Sequence, residues 1–65
     1  MQYLGAIRER EEALRQAEEI SKRQGKTVKL ERAKGKDYPN PKLYTVYRGW
    51  LDLDSTEARV VKMNF

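Results

Sequence analysis

The sequence predicts a small α+β protein in which one N-terminal helix packs on a three-stranded antiparallel β-sheet, in the order αβββ. Three observations predict this fold. Apolar residues recur with a helical period over residues 3–24. The pattern changes to a period of two after Gly25, and turn residues then divide the rest of the chain into three segments. Because a chain of 65 residues can bury only one core, we expect a single domain over residues 1–65.

Residues 3–24 are predicted to form the helix. The apolar stripe consists of Tyr3, Ile7, Leu14, Ala17 and Ser21, with Leu4, Ala6, Ala13 and Ile20 at its edges. Lys22 and Arg23 lie where the helix dipole favours positive charge. Gly25 follows at the position where a left-handed backbone conformation commonly ends a helix. The helix is therefore expected to end near Gly25.

Three strands are predicted after the helix. Residues 27–33 alternate between apolar and polar side chains, which is typical of a half-buried strand. Residues 34–42 contain two prolines and a glycine and are predicted to form a loop. Residues 43–51 are rich in aromatic and β-branched side chains. A turn at residues 52–55 is expected to join this second strand to a third strand at residues 56–65 as an antiparallel neighbour.

The second predicted strand has apolar side chains on both faces, but a single helix can cover only one face. We expect the face that carries Trp50 to form the core, because Trp50 is the largest apolar side chain. With a turn at residues 52–55, this arrangement would place Val46 opposite Val61. The outer face would then expose an apolar patch suited to binding another protein. The residues of this predicted protein-binding patch are Tyr47, Leu51, Leu43 and Val60.

Positive charge is concentrated in the middle of the chain. The formal net charge is +4. Residues 1–24 carry five cations and five anions, whereas residues 26–48 carry seven cations and two anions, a net charge of +5. The seven cations are Lys26, Lys29, Arg32, Lys34, Lys36, Lys42 and Arg48. Aromatic residues are interleaved with them, so residues 26–48 form a candidate nucleic-acid-binding segment through phosphate contacts and base stacking.

Several classes of function are disfavoured by the composition. The chain has no Cys and no His, so disulfides, thiolate metal sites and the commonest general base are missing. We therefore expect no enzyme activity, no catalytic residues, no metal and no cofactor. There is no apolar run of about 20 residues that could span a membrane, and the start lacks the pattern of a signal peptide. The expected location is cytoplasmic.

The leading hypothesis from the sequence is a small protein-binding regulator, inhibitor or accessory subunit that acts through the exposed sheet face. Proteins this small are of the kind that viruses and mobile elements encode. The alternative is a nucleic-acid-binding module that uses residues 26–48. A third interpretation is a homo-oligomer in which the apolar sheet face binds a second copy of the chain.

Overall fold

The computed structural model describes residues 1–65 and contains one helix and four strands. The elements follow one another as β1 (Gln2–Ile7), α1 (Arg10–Gln24), β2 (Thr27–Lys36), β3 (Leu43–Leu51) and β4 (Arg59–Met63). The predicted α+β class and the single helix are confirmed. The prediction of three antiparallel strands is wrong, because the sheet has four strands in the order β1-β3-β2-β4 and is mixed. β3 is antiparallel to both β1 and β2, whereas β4 is parallel to β2.

The strand that the sequence does not predict is β1, whose residues fall in the range of the predicted helix. Tyr3, Leu4 and Ile7 fit a helical stripe and a strand equally well, so the spacing alone does not separate the two. Gly5 has a φ of 110°, which a helix does not allow, and it lies at a bulge in the pairing of β1 with β3. The free edge of β3 supplies hydrogen-bonding partners for this segment. The helix therefore begins only at Arg10.

The end of the helix agrees with the prediction. Gly25 adopts the left-handed conformation, with φ of 65°, and its amide donates to the carbonyl oxygen of Ser21 at 2.8 Å. The Ser21 side chain is buried, and its Oγ lies 2.8 Å from the carbonyl oxygen of Lys26 and 3.1 Å from that of Arg59. This hydroxyl connects the end of α1 to the start of β4.

The last strand does not pair with β3, contrary to the prediction. Residues 52–58 pass the beginning of β2, and β4 then joins the far edge of the sheet. Hydrogen bonds at Thr27 hold this crossing: its Oγ1 lies 2.7 Å from Oγ of Ser55 and donates to the carbonyl oxygen of Glu57 at 3.1 Å. The expected pairing of Val46 with Val61 is wrong because β2 separates the two strands.

The helix covers the face of the sheet opposite to the predicted one. Its small residues Ala13 and Ala17 pack against Val28, Leu30, Tyr47 and Leu51, with Val60 beside them. Tyr47 and Leu51 are only 7% and 5% exposed, so the prediction that they lie on an exposed patch is wrong. Val60 is half-buried against the same core. Of the predicted patch only Leu43 is well exposed, at 62%.

Charge explains why the core forms on this face. On the opposite face, Arg48 lies directly across from Glu31, and Trp50 lies across from Lys29. Burying these charges under a helix would cost far more free energy than leaving Trp50 partly in water. Trp50 is accordingly half-buried and lies on the uncovered face, contrary to the expectation that it fills the core.

The packing yields a prediction for stability. Replacing Tyr47 by Ala removes a buried ring and should lower the free energy of unfolding by about 3 kcal/mol or more. A domain of this length has a total stability of roughly 3–10 kcal/mol, so much of the variant should be unfolded. Leu43→Ala removes an exposed side chain and should unfold like the parent. Urea unfolding followed by circular dichroism measures both. Equal stabilities for the two variants would place the core on the other face.

Candidate nucleic-acid interface

The middle of the sheet extends into a two-stranded projection. β1 pairs only with residues 47–51 of β3, and β4 pairs only with residues 27–31 of β2. Residues 32–36 and 43–46 therefore pair with each other alone. We call residues 32–46, which include the connecting loop, the ribbon. The molecule measures 41 × 21 × 18 Å.

The ribbon carries four exposed cations, Arg32, Lys34, Lys36 and Lys42. The first three alternate along β2 on the face that carries Val28 and Leu30, which is the side of the sheet on which the helix packs, with neighbours about 7 Å apart. None of the four takes part in an ion pair. Lys34 Nζ donates to Oγ1 of Thr45, an uncharged partner, at 3.1 Å. The ribbon thus presents a row of cations that have no ion-pair partner within the protein.

Both acidic residues of the 26–48 segment are engaged by arginines. Glu31 accepts a hydrogen bond from Arg48 at 3.0 Å. Asp37, in the ribbon loop, accepts one from Arg8 at 2.6 Å. Because these two carboxylates have partners elsewhere, they do not offset the charge of the ribbon lysines at short range.

Arg8 connects the ribbon to the body of the protein. Its guanidinium group lies 3.8 Å from the centre of the Tyr44 ring, in addition to its bond with Asp37. Interaction with Tyr44 first, and then with the Asp37 carboxylate, raises the pKa of Arg8 above its ordinary value. The Tyr44 ring also covers Gly35, where a Cβ atom would lie only 2.5 Å from Cζ of the tyrosine. A glycine at this position is required for the ring to occupy its place.

A second surface lies on the side of the sheet that the helix leaves uncovered. We call it the open face. One row of paired positions across the four strands consists of Tyr3, Trp50, Lys29 and Val61. The next row consists of Ala6, Arg48, Glu31 and Met63. The Tyr3 and Trp50 rings lie side by side with their centres 5.6 Å apart, and Tyr3 is 54% exposed.

The predicted nucleic-acid-binding cations separate into three groups. Four lie on the ribbon, and Lys29 and Arg48 lie on the open face. Lys26 lies apart from both groups, at the start of β2, where its Nζ donates to the carbonyl oxygen of Ser55 at 3.3 Å. Its role there is to hold the crossing to β4.

Three residues of these surfaces were missed by the sequence analysis. Tyr3 was assigned to the helix, although the alternation of Tyr3, Gly5 and Ile7 could have indicated a strand. Arg8 and Gly35 act through contacts between segments that are distant in the chain, and no local pattern signals such contacts.

A small apolar cavity lies between β1 and α1. Its volume is about 160 Å³. Its lining has no charged side chain, and it consists of Leu4, Gly5, Ala6, Ile7, Ala13, Gln16, Ala17, Ile20, Val28, Leu30, Tyr47 and Gly49. Nothing in this lining could transfer a proton near neutral pH, so the ribbon and the open face are the stronger candidate sites. The single helix, α1, is neither long enough nor apolar enough to cross a membrane.

The packing of Tyr44 on Gly35 can be tested by substitution. Gly35→Ala should displace the ring and break its stacking with Arg8, so the ribbon amides should exchange with solvent faster. Gly49→Ala makes the same chemical change where the added Cβ atom meets only ordinary contacts at 3.7 Å or more, and it should leave the ribbon unaffected. Hydrogen exchange of the ribbon amides measures the effect. Identical exchange rates in the two variants would show that the Arg8–Tyr44 stack does not hold the ribbon.

Comparisons of this chain with protein families, with curated proteins and with solved structures find no match.

Proposed function

We propose that this protein is a non-enzymatic nucleic-acid-binding module whose ribbon contacts phosphates. The observation that carries the proposal is the set of four exposed cations on the ribbon, none of which has an anionic partner within the protein. Such groups gain free energy from a polyanion because phosphate contacts release condensed counterions. We propose no cofactor and no metal for this activity.

The shape of the ribbon supports the same proposal. The ribbon extends beyond the parts of β2 and β3 that pair with β4 and β1, so a nucleic-acid backbone can approach it without meeting a neighbouring strand. The cations of β2 share a face, so one backbone can lie along Arg32, Lys34 and Lys36 together. Tyr38, at the tip, is 80% exposed and adds an aromatic ring to this end of the molecule.

A second candidate function is contact with another protein, or with a second copy of this chain, through the open face. Val61 and Met63 favour it, because these half-buried apolar side chains lie in the two rows that also hold Trp50 and Arg48. Protein binding by an uncovered sheet face is the function that the sequence suggested, but here the surface consists of other residues than those predicted. Tyr47 and Leu51 are removed from the proposed surface because they belong to the core.

The ribbon proposal predicts a charge-dependent affinity. Changing Lys34, Lys36 and Lys42 together to Gln should weaken binding to a short oligonucleotide about tenfold or more at low salt. It should also reduce the slope of log affinity against log salt by about 2 for a single strand and about 3 for a duplex, because three phosphate contacts are lost. Fluorescence anisotropy of a labelled oligonucleotide over a salt series measures both quantities.

The matched control removes three charges from elsewhere on the surface. Lys22, Arg23 and Lys62 changed together to Gln give the same net charge as the ribbon variant but leave the ribbon intact. This control should retain most of the affinity. If the two triple variants lose affinity equally, the binding depends only on overall charge and the ribbon is not the site. Absence of binding by the parent protein at low salt would refute the proposed function.

A further inference from the structure

Resting on the proposed function, we infer that the ligand is a single-stranded nucleic acid whose unpaired bases stack on Tyr3 and Trp50 of the open face. The ribbon alone would not distinguish a duplex from a single strand, because both offer phosphates. The open face lies on the other side of the sheet from Arg32, Lys34 and Lys36, so a strand that contacts both surfaces passes around an edge of the sheet. The open face distinguishes a single strand from a duplex, since it holds two aromatic rings that no helix or loop covers.

The placement of the two rings is suited to stacking. Tyr3 and Trp50 are paired across β1 and β3, so their side chains emerge from neighbouring strands on the same face. Their centres are 5.6 Å apart and their planes are inclined by 53°. Aromatic side chains exposed on a sheet in this way can each receive the face of one base. Bases within a duplex stack on one another, so their faces are not accessible to such rings.

Cations stand beside the rings where a backbone would pass. Lys29 lies in the same row as Trp50 and has no ion pair. Arg48 lies in the next row, with its guanidinium carbon 5.8 Å from the centre of the Trp50 ring. The hydrogen bond from Arg48 to Glu31 fixes the guanidinium group close to the ring. An aromatic pair flanked by cations matches the alternation of bases and phosphates along a single strand.

The same charges argue against a protein as the occupant of the open face. Charged residues are depleted from the centres of protein–protein interfaces. Here Lys29, Arg48 and Glu31 occupy the two central strands, while Val61 and Met63 lie on the edge strand. A protein partner that covered the face would have to bury the charges in its middle. A single strand would leave Glu31 bonded to Arg48 and place phosphates near the two cations.

The chain has one tryptophan, so its fluorescence reports directly on this face. The experiment titrates the protein with single-stranded oligothymidylate, with oligouridylate and with a DNA duplex of equal length. We expect the single strands to quench Trp50 and the duplex to leave its emission nearly unchanged. Quenching of Trp50 by both single strands supports stacking. The relative affinities of the two oligonucleotides then decide between DNA and RNA.

Substitution of Tyr3 tests the second ring while Trp50 remains as the reporter. Tyr3→Ala should weaken single-strand binding about tenfold and leave duplex binding unchanged. Tyr3→Phe retains the ring and should bind like the parent. If both variants show the parent's circular dichroism, the loss of affinity in Tyr3→Ala is due to the missing ring and not to a defect in folding. Leu53→Ala is the control, because it removes an exposed apolar side chain that belongs neither to the ribbon nor to the two rows of the open face.

The outcomes separate this inference from the proposed function. If no nucleic acid binds at low salt, the ribbon proposal fails and the inference fails with it. If oligonucleotides bind and the ribbon lysines are required, but Trp50 is not quenched and Tyr3→Ala binds like Leu53→Ala, only the inference is overturned. If Trp50 emission changes with protein concentration and not with oligonucleotide, the open face is a contact between protein copies and the inference is overturned in favour of self-association.

Discussion

The ion pair between Arg48 and Glu31 determines which side of the sheet becomes the core. These two residues lie opposite each other on the central strands β3 and β2, 3.0 Å apart, on the side that carries Trp50. One helix can cover one face, and covering this pair would require both charges to lose water. The helix therefore packs on the face with Tyr47 and Leu51, and the open face and its aromatic pair are left uncovered.

The ribbon also depends on ion pairs between its neighbouring acidic residues and arginines. Asp37 is held by Arg8, and Glu31 by Arg48, so the acids of the basic segment are engaged by arginines that lie outside the row of lysines. Arg8 also stacks on Tyr44, which in turn requires glycine at position 35. A chain of contacts from the end of β1 to the ribbon loop thus fixes a projection that would otherwise have only its own cross-strand hydrogen bonds.

Local features could be predicted from the sequence, whereas pairings between distant segments could not. Gly25 ends the helix as expected, and β3 has the predicted bounds, because glycine conformation and β-branched composition act within a few residues. β1 was missed because Tyr3 and Ile7 satisfy both periods and only the free edge of β3 decides between them. The parallel pairing of β4 depends on Thr27 and Ser55, which are 28 positions apart.

For the candidate site, the basic segment was visible in the sequence. The choice of face was not, because it depends on the register of β2 against β3, which places the polar side chains Lys29 and Glu31, and not Val28 and Leu30, on the side of Trp50.

The ribbon has two strands and therefore two unpaired edges. Residues 32–36 and 43–46 each expose backbone amide and carbonyl groups that no neighbouring strand satisfies. Such edges are templates on which a second molecule can add a strand, and lysine at an edge is a common means of preventing it. The repulsion between the lysines of two ribbons opposes this addition, so the residues proposed to hold phosphates also protect the protein from aggregation. Any agent that neutralises them would weaken that protection at the same time.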